Sequence, residues 1–341
     1  MDKSAAQAFD QVRLDLVERD AHLLHRVTLA DGDGVVFDRV EVVGDAEGRA
    51  NLVLATVAAA NGAGVVVVDV PDAAQLVGQL LGGAFLGAVV ASACSNPWVG
   101  MLAAPVAGVL VALLLALFGL RYRVNQIVVG VVLNVLVSGL TGFLFSTFLS
   151  SSPSLNRALR LPTLAVPLLS RIPIIGPVLF RQTILVYLMY AAVAVLSVML
   201  FRSRWGLRLR ACGEHPKAAD TVGINVMRTR VANLALAGAL AGLGGAFFTV
   251  GSGLSFENDM TAGNGYIALA AMILGAWRPL GSLGAALLFG FATSVAQTLP
   301  VIGSSVSPDI ISMIPYIVTI LAVAGFVGKV RAPAAEGVPY P

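Results

Sequence analysis

Seven long apolar stretches constrain the fold of this 341-residue chain more than any other feature. They cover residues 76–94, 99–119, 127–149, 184–201, 231–251, 266–298 and 309–327. A helix of roughly 20 apolar residues crosses the hydrocarbon core of a bilayer. Because these stretches hold no Asp, Glu, Lys or His apart from Asp309 at one end, they predict an all-α polytopic membrane protein.

The sixth stretch is too long for a single crossing. Its middle, "GAWRPLG" at 275–281, contains Arg278 and Pro279, which predict a polar break between a short limb at 266–276 and a full limb at 282–298. The short limb must be tilted, extended or sheltered inside the bundle. The chain is therefore expected to form about seven or eight transmembrane or half-membrane helices.

The composition agrees with a membrane protein. Hydrophobic residues make up 57% of the chain, charged residues only 12%, and the mean hydropathy is +0.86. The net charge of +3 comes from short basic clusters beside apolar runs, a pattern typical of membrane orientation and not of nucleic-acid binding. Cys94 and Cys212 are expected on opposite sides of the bilayer, which argues against a disulfide.

Basic residues predict which loops are cytoplasmic. One side of the predicted topology collects twelve of them, at Arg121, Arg123, Arg202, Arg204, Arg208, Arg210, Lys217, Arg228, Arg230, Arg278, Lys329 and Arg331. The other side has four, Arg157, Arg160, Arg171 and Arg181, all in one loop with five prolines that should form an extended or short-helical external cap. The positive-inside rule makes the first side, including the C-terminus, cytoplasmic.

Residues 1–75 differ from the rest. Their mixed charge and short Val-rich runs predict a small soluble α/β segment. The first twenty residues have no apolar h-region, so no cleaved signal peptide is expected. The "NGAGVVVV" at 61–68 lacks the third glycine and the lysine of a phosphate-binding loop. His22 and His25 could ligate a metal from one helix face, but two solvated histidines are the simpler interpretation, so no metal site is predicted.

A polar, basic island, "GLRLRACGEHPKAADTVGI" at 206–224, separates two apolar stretches. Pro216 suits the first position of a helix, and Gly223 suits the residue just past its end. The intervening residues predict a two-turn surface helix with Ala218, Ala219 and Val222 on one side. Such a helix could dock into a groove of a partner protein, or it could be a solvated connector.

This island resembles the coupling loop of permease subunits of ABC importers in the branched-chain amino acid, ribose and nucleoside permease superfamily. Further stretches resemble its nucleoside branch, which works with basic membrane lipoproteins: "VNQIVVGVVLNVLVSGLTGFL" at 124–144, "LAGALAGLGGAFFTV" at 236–250, "DMTAGNGYIALAAMILGAWRPLGSLGAALLFGF" at 259–291, "MIPYIVTILAVAG" at 313–325 and "VRAPAAEGVPY" at 330–340. The resemblance implies a permease domain at 76–341. Where the family's loop usually has an asparagine, this chain has His215, and the family's early spans have no counterpart at 1–79.

The resemblance implies a division of labour among subunits. The chain has no G-x-x-x-x-G-K-[ST] motif, so ATP with Mg²⁺ is expected on separate ABC ATPase subunits, and the chain itself is a transporter component without catalytic residues. A second permease subunit and an extracytoplasmic substrate-binding lipoprotein are the other implied partners. The implied contacts with the ATPase are Gly213, Glu214, His215, Pro216, Lys217, Ala218, Ala219, Asp220 and Gly223.

Polar and aromatic residues in the spans are candidates for the substrate path. Asn134 lies seven residues into its predicted helix, about 10 Å deep, and could bond a nucleoside or join two helices. Asn264 opens the short limb, where a broken helix can expose backbone groups. Phe143 and Tyr266 could stack on a base, although aromatic residues near span ends are also packing residues or interface anchors. The glycines of "AGALAGLGG" (Gly238, Gly242, Gly245) are interpreted as packing residues.

The sequence is also compatible with three alternatives to a nucleoside importer. The cargo could be a pentose or a branched-chain amino acid. The chain could be an ion-coupled secondary transporter, although such proteins need ionisable residues in their spans. It could also be a truncated or fused permease that does not transport, since residues 1–79 depart from the family.

Overall fold

The described part of the protein lies in four long blocks of sequence and two short pieces. The computed structural model describes residues 73–157, 159–165, 181–261 and 263–301, together with Ile317, Ala334 and Ala335. The predictions for residues 1–72, including His22, His25 and the "NGAGVVVV" stretch, lie outside the described residues. The seventh apolar stretch, 309–327, lies outside them as well except for Ile317.

The described residues are mainly helical, as the apolar stretches predict. The helices are α1 (Ala73–Ala93), α2 (Pro97–Leu115), α3 (Gln126–Leu144), α4 (Ile184–Arg202), α5 (Arg204–Glu214), α6 (Pro216–Thr221), α7 (Val226–Ala246), α8 (Asn264–Leu274) and α9 (Pro279–Val301). Wider π-helical turns extend α2, α3 and α7 to Arg121, Leu149 and Gly251. Five of the described helices, α1, α2, α3, α4 and α7, are long and apolar enough to cross a membrane.

Helix α1 lies at the centre of the bundle, packed by α2, α3, α7 and α8. Close approach of α1, α2 and α7 depends on small residues four apart. A Cβ on Gly108 of α2 would overlap the carbonyl oxygen of Gly238 of α7, and a Cβ on Gly242 would overlap that of Ala104. Lipid tails are as apolar as Leu, so helices in a bilayer associate by this kind of backbone contact. The prediction that Gly238, Gly242 and Gly245 serve packing is confirmed.

The predicted break in the sixth stretch is confirmed. Helix α8 has eleven residues, about 16 Å in length, so it covers half of a core about 30 Å thick. It ends in a turn where Ala276 and Trp277 both have positive φ, and α9 starts at Pro279. Buried Ala268 and Met272 join the central core, while Ala271 packs against Ala285 and Ala286 of α9, so the half-helix is sheltered inside the bundle.

The segment after α3 forms the predicted cap of extended and short-helical pieces. Its described residues include a 3₁₀ turn at Pro153–Leu155 and two antiparallel paired strands, β1 (Thr163–Ala165) and β2 (Arg181–Thr183). The Asn156 side chain donates to the Phe256 carbonyl at 2.9 Å and accepts from the Phe256 N–H at 2.7 Å. Phe256 is fully buried against Phe85 and Phe145, so this pair of hydrogen bonds fastens the cap to the bundle.

The structure corrects the sequence prediction between the fourth and fifth spans. Residues 202–230 were expected to be a loop around one short helix, whereas they contain α5, α6 and the first turn of α7. Helix α7 starts five residues before the predicted span because Asn225 caps it, with its side chain accepting from the Arg228 N–H at 2.9 Å. Arg228 and Arg230 therefore lie on a helix, and Arg230 is fully buried.

Candidate functional site

The polar island forms two short helices between the spans α4 and α7. Ser203 separates α4 from α5, and its hydroxyl caps α5 by accepting from the Gly206 N–H at 3.1 Å. Pro216 occupies the first turn of α6, and Gly223 follows that helix with φ of +83°, as predicted for both residues. We define the coupling segment as residues 213–224. His215 joins its two helices, and its side chain makes no capping hydrogen bond to α6.

A small apolar core fixes the coupling segment to the bundle. It contains Leu200 of α4, Leu209 and Cys212 of α5, Ala219 of α6 and Val226 of α7. The predicted apolar side of α6 is wrong in part, since Ala219 is buried while Ala218 is exposed and Val222 is 74% exposed. A helix of six residues can bury about one side chain per turn. Because α6 packs against α5 and α7 on one side, Ala219 fills that position and the other two side chains remain exposed.

The charged groups of the coupling segment face away from that core. Glu214, Lys217 and Asp220 are all exposed, beside the exposed apolar Val222. A rigid surface with mixed charge and one apolar contact is suited to docking. In the small apolar core, burial raises the pKa of the Cys212 thiol. The neighbouring Arg230 guanidinium and a hydrogen bond with Thr229 offset only part of that rise.

Unpartnered amide groups lie at the middle of the bundle. Gln75 and Gln79 of α1 are 1% and 0% exposed. The Nε2 atoms of both, Oε1 of Gln79 and Oδ1 of Asn134 are buried without a hydrogen-bond partner in the described part of the chain. Gly78 lies between the two glutamines in sequence, and a Cβ placed on it would be 3.3 Å from the Asn134 Cα. Asn134 is eight residues into α3, about 12 Å from its start.

The segment that precedes α8 contacts the same part of α1. The Thr261 hydroxyl donates to the carbonyl oxygen of Val77, between Gln75 and Gln79, at 3.5 Å. The chain after α7 thus returns into the bundle before α8 begins at Asn264, preceded by Gly263 with φ of +79°. Asn134 and Asn264 were candidates from the sequence, whereas Gln75 and Gln79 were not. The signal for Gln79 was available, because it is an amide inside an apolar stretch.

The two aromatic candidates lie elsewhere. Phe143 is 62% exposed and nine residues after Asn134, which places the two on opposite sides of α3. Tyr266 is 58% exposed on α8. Neither belongs to the group formed by Gln75, Gln79 and Asn134, which we call the amide cluster. Among the described residues no group of three His, Cys, Asp or Glu side chains could hold a metal ion.

Comparison with known proteins explains this architecture. Residues 55–323 match the family described as branched-chain amino acid transport system / permease component, starting before the boundary predicted at residue 76. The guanosine ABC transporter permease protein NupQ of Bacillus subtilis is 39% identical over 72% of this chain and 77% of its own length. The nucleoside ABC transporter permease protein NupC of Lactococcus lactis is 41% identical over 72% and 78%.

A third relative has a different named cargo. The protein TsgC13 of Haloferax volcanii, assigned to glucose transport, is 31% identical over 71% of this chain and 79% of its own length. All three are permease components of ABC systems, which work with ATPase and substrate-binding components. The secondary-transporter alternative is thereby excluded. The chain belongs to the branched-chain amino acid transport system / permease component family and is a multi-pass membrane permease subunit of an ABC transporter.

Proposed function

We propose that this chain carries nucleosides into a bacterial cell as one of two permease subunits of an ABC importer in the cytoplasmic membrane. The observation that carries the proposal is its match to NupQ and NupC at 39 and 41% identity over 72% of the chain. An extracytoplasmic lipoprotein delivers the nucleoside, a second permease subunit completes the path, and separate ATPase subunits bind and hydrolyse Mg-ATP.

The buried amides of α1 and α3 suit a neutral, polar cargo. Helices α1, α3 and α8 contain no charged residue, which disfavours a zwitterionic amino acid because both of its charges would be unpaired. Asn and Gln amides offer a donor and an acceptor side by side, the pattern that pairs with the edge of a purine. Gln75, Gln79, Asn134 and Asn264 are therefore proposed to face the nucleoside when the helices separate.

Replacing Gln79 with Leu tests this path. Its two amide atoms are buried and have no partner among the residues that the structure describes, so a purely structural Gln79 would be replaced by Leu with no loss, or with a gain, of stability. If Gln79 binds the nucleoside, we expect normal protein levels and a KM for uptake that is about tenfold higher. A tenfold change corresponds to the loss of one hydrogen bond worth about 1.4 kcal/mol. Asn134→Leu should act in the same direction.

Ser197→Ala provides the matched control. The Ser197 hydroxyl on α4 is also buried without a partner among the described residues, but α4 lies outside the amide cluster. Uptake by this variant should be unchanged. If Gln79→Leu transports with the wild-type KM, the amide cluster does not contact the cargo.

The proposed orientation places the coupling segment in the cytoplasm and Cys94 outside. Cys94 is exposed in the turn after α1, whereas Cys212 is buried and its raised pKa keeps it in the unreactive thiol form. A membrane-impermeant maleimide added to whole cells should label Cys94 and leave Cys212 unmodified. A Cys94→Ser variant should then show no labelling, and labelling that persists in it would reverse or refute the assigned topology.

Coupling is proposed to run through the exposed residues of the coupling segment. Glu214, Lys217 and Asp220 contact the ATPase, whose closure on ATP moves α6. The small core that contains Cys212 and Ala219 transmits the movement to α4 and α7. The remaining residues that the family resemblance assigns to this contact, from Gly213 to Gly223, shape the segment through its helix ends.

A further inference from the structure

The C-terminal tail meets the coupling segment, although more than a hundred residues separate the two in sequence. The Ala335 N–H donates to the Gly213 carbonyl at 2.9 Å. Ala335 is only 6% exposed, so this is a packed contact, while the preceding Ala334 is exposed. The tail stretch "VRAPAAEGVPY" has no role in the mechanism described above.

The accepting carbonyl is one that the helix itself cannot satisfy. Gly213 is the second-last residue of α5, and the last four carbonyls of a helix lack intrahelical donors. A new helix starts at Pro216, so the chain turns away instead of continuing the hydrogen-bond ladder of α5. The tail supplies the missing donor at the point where α5 gives way to the segment proposed to contact the ATPase.

This contact bears on the position of α6. Gly213 is itself buried and is followed by Glu214 and the connecting residue His215. Within the described residues, α6 has one buried side chain, Ala219, which lies in the small apolar core. A six-residue helix held by one buried side chain needs support at its ends if it is to transmit force without yielding.

We propose that Ala334–Ala335 form a strap that holds the end of α5 and thereby positions the coupling helix α6. Ala335 is thus a positioning residue that acts through Gly213. This inference rests on the proposed role of the coupling segment, and it adds a stiffening contact from the far end of the same chain. Loss of the strap should leave ATPase binding intact but let α6 yield when the ATPase closes, so that ATP hydrolysis no longer moves the spans efficiently.

The test compares Ala335→Pro with Ala334→Pro in the assembled importer. Proline at 335 removes the donating N–H, whereas proline at 334 keeps it. A second pair of variants, ending after Pro333 or after Gly337, removes or keeps the strap without adding a proline. The first measurement is the number of ATP molecules hydrolysed per nucleoside transported. We expect it to rise about threefold to tenfold in both strap-deficient variants and in neither control.

The second measurement needs no transport and reports the contact itself. Cys212 is next to Gly213 and fully buried, so its maleimide labelling rate in a Cys94→Ser background reports local opening of α5. Labelling should become several-fold faster in Ala335→Pro and stay slow in Ala334→Pro. Unchanged labelling together with an unchanged ATP-to-nucleoside ratio in Ala335→Pro would overturn the strap.

Failure of the strap can be told apart from failure of the coupling segment. If charge reversal at Glu214 and Lys217 uncouples the importer but loss of the strap does not, the strap alone is refuted. If Cys212 labelling accelerates in Ala335→Pro while neither set of variants alters coupling, the tail contact exists but the coupling role of the segment is wrong, and the inference falls with it.

Discussion

Exchanging the charges on either side of the junction between α5 and α6, with Glu214→Lys and Lys217→Glu together, is expected to abolish ATPase stimulation by the substrate-loaded binding protein. Both side chains are exposed, and the core of the segment does not include them, so the fold should survive. Reversed contacts with a partner replace attraction by repulsion and cost several kcal/mol, which is enough to reduce docking at least a hundredfold. The measurement is stimulated ATPase activity of the purified importer, with membrane insertion followed in parallel.

Arg278→Glu is the matched control for that exchange. Arg278 is exposed in the turn between α8 and α9, which the proposed topology puts on the same side of the membrane but outside the coupling segment. It should retain stimulation. Full ATPase stimulation in the Glu214 and Lys217 variant would contradict the docking role of the coupling segment. Loss of stimulation in both variants would mean that the total charge of that surface, and not the coupling segment, causes the effect.

Gly108→Ala should be the most damaging single-methyl change in the described bundle. The new Cβ would overlap the Gly238 carbonyl oxygen and crowd the backbone N of Gly242, at 2.8 Å. Backbone atoms of two packed helices cannot move aside as a flexible side chain can, so α2 and α7 must separate. Overpacking costs about 1–3 kcal/mol even where side chains can adjust, and here we expect at least the upper value. The thermal midpoint and the amount of folded protein in detergent should both fall sharply.

Gly139→Ala tests whether that loss comes from helix contact. Gly139 is in the middle of α3, and a Cβ placed there meets no atom within 4 Å. Because Gly destabilises a helix relative to Ala by about 0.5–1 kcal/mol, this variant should be as stable as the parent or slightly more stable. Equal stability of the Gly108 and Gly139 variants would contradict the packing described for α1, α2 and α7.

Much of the fold follows from hydropathy and from the residues that start or end helices. Apolar length located α1 to α4 to within about five residues, and Pro279 correctly predicted the break that leaves α8 a half-helix. Pro216 and Gly223 bounded α6 because helix ends impose local backbone requirements that particular residues meet. These features are local, so a single sequence contains them.

The rest depends on tertiary contacts that sequence patterns do not contain. The start of α7 was missed because Arg228 and Arg230 made its first turn look like a loop, whereas Arg230 is buried against the coupling segment's core. Gln75 lies just before the predicted apolar stretch, and it became notable only when α3 brought Asn134 beside Gly78. The contact between Ala335 and Gly213 joins distant parts of the chain, and no periodicity could indicate it.

Nucleoside uptake into proteoliposomes shows whether this chain forms part of an ATP-driven nucleoside path. The importer, purified with its ATPase, second permease and binding lipoprotein, is reconstituted and supplied with labelled guanosine. We expect accumulation that requires Mg-ATP, is blocked by excess unlabelled nucleoside, and is unaffected by excess glucose, ribose or leucine. Accumulation without ATP, or a block by a sugar or leucine but not by nucleosides, would contradict it.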